Sequence, residues 1–196
     1  MFFLLFIFRN LKIEPGYRQK QVFQMGIQGK KVIILCEDNF QDAELLYPMY
    51  RMREAGAEVI VAGLGDEMYE GKYGYAIYPD GNIEDYAPDD FDAVIIPGGW
   101  APDHLRKSKH VLDFVKKMFE SNKVVAAICH AGWVLASAGI LKGKQVTCYE
   151  AIKDDVRNAG ANYADKSVVV DGNLITSRKP DDLPDFCRAI LKKLGE

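Results

Sequence analysis

Four short runs of β-branched and apolar residues punctuate this chain, at 31–36, 58–63, 92–97 and 124–128, and they limit the folds open to it more than any other feature. Such runs do not alternate polar with apolar, so they read as strands buried on both faces, the signature of a mostly parallel sheet covered by helices. Helical patterns lie between them. One spans about 41–55 and stops at Gly56, where a glycine C-cap is expected. Another covers 108–121 and carries Val111, Leu112, Val115, Met118 and Phe119 on one face. A third, built of small residues, follows Cys129 and ends near Ala138 and Gly139.

Residues 73–78 form a weaker strand suited to a hairpin or a small flanking sheet. Residues 167–176 read as a hairpin turning at Asp171-Gly172, and a closing helix is expected over 180–194. The alternation predicts an α/β fold, a doubly wound mostly parallel sheet with helices on both faces and its site at the carboxyl ends of the strands.

The chain has 196 residues, and 48% of them are hydrophobic, enough for one compact domain. Residues 30–196 are expected to form it, with 1–29 set apart as an N-terminal extension or a misplaced start before Met25. The opening apolar stretch, Met1 to Phe8, is interrupted at Arg9, short of the roughly 20 residues of a spanning helix. Its basic residues follow the apolar stretch, the reverse of a signal peptide, so no membrane association is expected.

The 28 acidic and 25 basic residues are scattered and give a net charge of -3, leaving no strip that would neutralise nucleic-acid phosphates. Four separated cysteines, Cys36, Cys129, Cys148 and Cys187, suggest neither a zinc framework nor a disulfide scaffold and fit a reducing, cytoplasmic setting. His104 and His110 are not spaced as an i, i+4 pair, and no Gly-x-Gly-x-x-Gly occurs, so neither a metal nor another cofactor is expected.

Chemistry concentrates at Ala127-Ile128-Cys129-His130-Ala131-Gly132, where small residues flank a cysteine between a buried strand and a helix. A nucleophile elbow needs this arrangement, because its strained turn collides with larger neighbours. A helix N-terminus at the sulfur predicts a depressed thiol pKa. A lone cysteine can equally be a small buried hydrophobe, and His130 can simply satisfy a carbonyl. Gly98-Gly99, after another buried strand, offers backbone amides to an oxyanion or serves as an ordinary turn.

These segments, with Glu37 to Asp42, Pro97 to Asp103 and Ile152 to Asp155, resemble the DJ-1/PfpI superfamily, and within it the PfpI-type intracellular proteases, from about Lys31 to the C-terminus. The resemblance implies a flavodoxin-like sandwich, related to that of class I glutamine amidotransferases, and assembly into dimers or hexamers. It implies Cys129 as nucleophile, His130 as its base, and an acid at Asp103 contributed across a subunit interface to orient the histidine. By sequence alone Asp103 reads as a helix N-cap just as well. The glutamate that such proteins place beside the cysteine falls at Gln41 in this reading, with Glu44 taken as helical surface. A glutamine amide donates a hydrogen bond but carries no proton between substrate carbons, which puts glyoxalase or deglycase chemistry in doubt.

The expected function is therefore a cysteine hydrolase acting on peptides or small carbonyl compounds, with the amides of Gly99 and His130 as oxyanion donors. The alternatives are a glyoxalase III or deglycase acting on methylglyoxal or its adducts, and a stress chaperone or redox sensor built around an oxidisable Cys129. A glutamine amidotransferase is excluded, because it needs a late His-x-Glu pair and all three histidines lie before residue 131.

Overall fold

The computed structural model describes residues 26–65 and 67–195, so the expectations placed on residues 1–25 lie outside the described residues. The four apolar runs form β1 (Lys31–Leu35), β2 (Glu58–Gly63), β6 (Ala93–Ile96) and β7 (Val124–Ile128). Between β2 and β6 lie three two-residue strands, β3 (Tyr69–Glu70), β4 (Ala76–Ile77) and β5 (Gly81–Asn82). After β7 come β8 (Gln145–Val146), β9 (Asn162–Tyr163), β10 (Val168–Asp171) and β11 (Leu174–Ser177). The central sheet has seven strands in the order β10-β11-β7-β6-β1-β2-β5. All its pairings are parallel except the β10/β11 hairpin. Two small sheets flank it, the antiparallel β3/β4 and the parallel β8/β9.

The helices are α1 (Asp42–Glu54), α2 (Ala101–Leu105), α3 (Lys109–Glu120), α4 (Gly132–Ser137), α5 (Lys153–Asn158) and α6 (Leu183–Gly195). Strand side chains alternate between two cores, as the two-residue period of a strand requires. Val32 and Ile34 of β1 join the core formed with Leu45, Met49 and Met52 of α1 and Phe186, Ile190 and Leu194 of α6. Ile33 and Leu35 join the opposite core, built with Val111, Phe114 and Met118 of α3 and Val134 and Leu135 of α4. On α3 the deepest positions are Val111, Phe114, Val115 and Met118, while Leu112 and Phe119 are only partly buried, which turns the apolar stripe slightly from its expected direction.

This is the doubly wound, flavodoxin-like α/β architecture the sequence predicts. The chain leaves β1 toward β2 and β5, then returns to β6 on the other side, so the strand order reverses between β1 and β6. Loops at the carboxyl ends of such neighbours diverge and leave a crevice, where sites of these folds gather. Gln41, Gly98 and Cys129 follow β1, β6 and β7 at that end. No helix among the described residues is long and apolar enough to cross a membrane.

Candidate active site

Cys129 follows β7 directly, with φ of +61°, a left-handed conformation that costs a non-glycine residue about 1–2 kcal/mol. The strain fits an elbow, and small neighbours permit it: a Cβ on Gly132 would lie 3.1 Å from both Ile152 and Val156. The thiol is nearly buried, at 7% exposure. His130 Nδ1 lies 3.2 Å from Sγ, so the adjacent histidine does reach the nucleophile. Burial, and secondarily the charge of Lys72, lower the His130 pKa and keep its ring neutral and able to accept a proton.

The second wall comes from the turn after β6. The loop before α1 is strapped to this turn by a bridge between Phe40 and Gly99, with Gln41 N–H donating to Gly98 O at 3.0 Å and Trp100 N–H to Asn39 O at 2.8 Å. Gly99 has φ of +80°, and a Cβ there would run into the backbone of Asn39 and Gln41. A Cβ on Gly98 would lie 2.5 Å from Glu44 Oε2, 2.6 Å from Cys129 Cβ and 3.0 Å from Sγ. Only a residue without a side chain lets the strand end approach the sulfur this closely. The amides of Gly99 and His130 hydrogen-bond to the sulfur and favour its thiolate.

Gln41 does not sit beside the cysteine. It is the N-cap of α1, its Oε1 accepting from Glu44 N–H at 3.2 Å, which satisfies one of the free amides at the helix start. The carboxyl beside the thiol belongs to Glu44, expected on the helical surface and found completely buried. Gly98 N–H donates to its Oε2 at 2.8 Å, while Oε1 has no hydrogen-bond partner. Burial raises the Glu44 pKa from 4.5 to about 7, opposed by the Gly98 amide, the nearby thiol and Lys72. Glu44 therefore occupies the place beside the sulfur that the sequence reading gave to Gln41, and the objection that rested on a glutamine there falls with it.

The depressed thiol pKa is corrected as well. Burial, with a charged Glu44 second, pushes Cys129 up to about 12, and the two amides pull it back only in part. The helices following the sulfur are short, a three-residue 3₁₀ turn and then the six residues of α4, so little helix dipole acts on it. When Glu44 is protonated its repulsion vanishes, so proton and charge are shared between the two groups.

Asp103 is exposed in the first turn of α2 and does not cap it; the N-cap is Trp100, without a side-chain hydrogen bond. Among the described residues, no hydrogen bond joins Asp103 to His130. The sequence reading also passed over an aromatic surround. The His130 ring stacks on Tyr149 at 4.9 Å, meets Trp133 edge-on at 5.0 Å, and lies 5.7 Å from Trp100. Trp133 is anchored by its Nε1–H donating to Asp155 Oδ2 at 2.8 Å.

Residues 30–193 match the model of the DJ-1/PfpI family. The chain belongs to this family. A protein from Pyrococcus abyssi named a deglycase is 45% identical over 164 residues, 84% of this chain and 99% of the relative. YraA of Bacillus subtilis, named provisionally as a cysteine protease, is 44% identical over 167 residues, 84% of this chain and 98% of the relative. The crystal structure of DJ-1beta from Drosophila melanogaster superposes with a TM-score of 0.81 at 34% identity, covering 85% of this chain and 90% of that one. DJ-1/PfpI relatives named as deglycase and as protease point to an enzyme, in line with the elbow, the histidine and the buried carboxyl.

Proposed function

We propose that this DJ-1/PfpI chain is a cysteine-dependent deglycase or glyoxalase acting on methylglyoxal and its adducts. The observation that carries this reading is the buried Glu44 carboxyl beside Cys129, with a pKa of about 7 and one oxygen unpartnered. A group that titrates near neutrality both takes up and releases a proton at working pH, which proton transfer between neighbouring carbons requires. The relatives named as deglycases support the same choice.

In the proposed reaction, Sγ of Cys129 adds to the aldehyde carbon of a 1,2-dicarbonyl compound. The thiol proton passes by way of His130 to the carbonyl oxygen, giving a hemithioacetal. Glu44 as carboxylate removes the hydrogen on that carbon and returns it to the adjacent carbon, while the hemithioacetal hydroxyl proton passes by way of His130 to the oxygen of that adjacent carbon. The former aldehyde carbon is thereby oxidised to a thioester and its neighbour reduced to an alcohol, with no external oxidant. Water then hydrolyses the thioester, releasing a 2-hydroxy acid and restoring the thiol. The amides of Gly99 and His130 hold the developing oxyanion.

The test is formation of lactate from methylglyoxal by wild type, Cys129→Ala and Glu44→Gln. Turnover is expected to vanish in the first variant and to fall about 10²–10⁴-fold in the second, the usual contribution of a positioned acid–base group. Absence of lactate with wild type, or turnover surviving Cys129→Ala, would overturn the reading. Peptide hydrolysis is the second reading, favoured by the same pair of amides at the sulfur. Hydrolysis of a fluorogenic peptide that survives Glu44→Gln but not Cys129→Ala would establish it instead. Aggregation suppression that survives Cys129→Ala would favour the chaperone reading.

A further inference from the structure

A cavity of about 520 Å³ is lined in part by Tyr149, the residue that stacks on His130, and its volume is within the usual range for a small-molecule site. Tyr149 is common to both spaces: it is among the residues lining the cavity, its ring stacks on His130, and its N–H donates to Cys129 O at 3.2 Å. The wall holds four cations, Lys153, Arg157, Arg178 and Lys179, against two acids, Glu150 and Asp165. The mechanism uses none of these six.

Two of the cations are held in place. Arg178 donates from Nε and Nη2 to the buried Asp182 at 2.8 and 3.1 Å, and from Nη1 to Asp165 at 2.6 Å. Arg157 lies over the Tyr163 ring at 5.0 Å and donates to Asp154 at 3.2 Å. Fixed guanidinium groups lose little freedom when they bind, and their planar donors match a carboxylate or phosphate. The lysines are held less firmly. Lys153 pairs at 3.6 Å with Glu150, and Lys179 at 3.1 Å with Asp181, both acids more than 80% exposed. Such surface pairs contribute only about 0–1 kcal/mol, so an entering anion recruits either ammonium at small cost.

We infer that this cavity is the anion subsite of the active centre, taking a carboxylate or phosphate group carried by the substrate while its carbonyl lies at Cys129. The inference deepens the deglycase reading and rests on it for the identity of the reacting group. The experiment compares methylglyoxal adducts of N-acetylcysteine, which bears a carboxylate, and of N-acetylcysteine amide, which does not; in each, Sγ of Cys129 replaces the adduct's sulfur on the hemithioacetal carbon and the free thiol leaves with the Cys129 proton. Wild type is expected to show a KM at least about fivefold lower for the carboxylate adduct, the advantage a partly exposed charge-assisted pair supplies. In Arg157→Gln/Lys179→Gln that ratio should fall to near one, and inorganic phosphate should compete with the carboxylate adduct in wild type. Both substituted side chains are substantially exposed, so the variant is expected to fold.

Equal KM values in wild type, or a preference that survives the double substitution, would overturn the proposal. Phosphate that changes kcat for the neutral amide adduct without competing with the carboxylate adduct would also overturn it, because the anion would then be a separate effector. Calorimetric titration of full-length Cys129→Ala with inorganic phosphate separates this inference from the deglycase reading. Saturable binding lost in the cavity variant upholds the anion site even if no lactate forms. Lactate formation with neither phosphate binding nor a carboxylate preference sinks the subsite and leaves the reaction standing.

Discussion

Burial raises the Glu44 carboxyl from 4.5 to about 7, and the shift that makes it a proton carrier also ties fold stability to pH. The unfolded chain ionises this group near 4.5 and the native protein near 7, so its contribution is complete below 4.5. It is lost as pH rises between the two values and is level above 7, a change of about 3 kcal/mol. Glu44→Gln removes that loss. Urea denaturation at a series of pH values should show the variant gaining on wild type from pH 4.5 to 7 and then holding a constant lead; parallel curves would show that Glu44 ionises without cost to the fold. The same substitution replaces a charged neighbour of Cys129 with a neutral one, so alkylation of the thiol by iodoacetamide should titrate at lower pH in the variant above neutrality. Cys129 and His130 were legible in the sequence because an elbow is a contiguous string with a strict size rule. Glu44 was missed because the charged residue was assigned to the surface by type, although it shares a helical stripe with Leu45, Pro48, Met49 and Met52, all buried. The helical period carried the signal.

At the scale of elements, the strands were read best, because burial on both faces leaves an unbroken apolar run. β2 and β7 occupy the predicted 58–63 and 124–128, and Ser108 caps α3 through a hydrogen bond to Val111 N–H. The two-residue strands β8 and β9 were not legible, since so short a pair has no period to detect. The joint between elements matters most to the chemistry. The turn after β6, the start of α1 and the elbow after β7 meet at Gly98, where a single methyl group would press on Glu44 and Cys129 together. Gly98→Ala should therefore cost about 1–3 kcal/mol by overpacking, and it should reduce kcat far more than KM because the two reacting groups are driven apart. An unchanged kcat in a folded Gly98→Ala protein would show that their spacing has slack.

At the scale of the whole molecule, Asp103 is informative by where it lies. It is exposed on α2 and is not bonded to His130 among the described residues; we propose that it orients the histidine of a second copy of the chain. Mixing Cys129→Ala and Asp103→Ala proteins under exchange conditions should then yield activity that neither has alone, with sedimentation reporting the assembly. Strict additivity of the two inactive preparations would confine the site to one chain. The sequence could not decide this, because spacing along one chain carries no record of contacts with another. A last consequence follows from the depth of the sulfur atoms. Cys36, Cys148 and Cys187 are at most 1% exposed, against 7% for Cys129, so exposure and not thiol pKa, which burial raises at all four, sets Cys129 apart. One mole of a slow electrophile consumed per mole of chain therefore counts competent sites, and any excess over one counts molecules that have opened, so a single mass spectrum audits both the activity and the folding of a preparation.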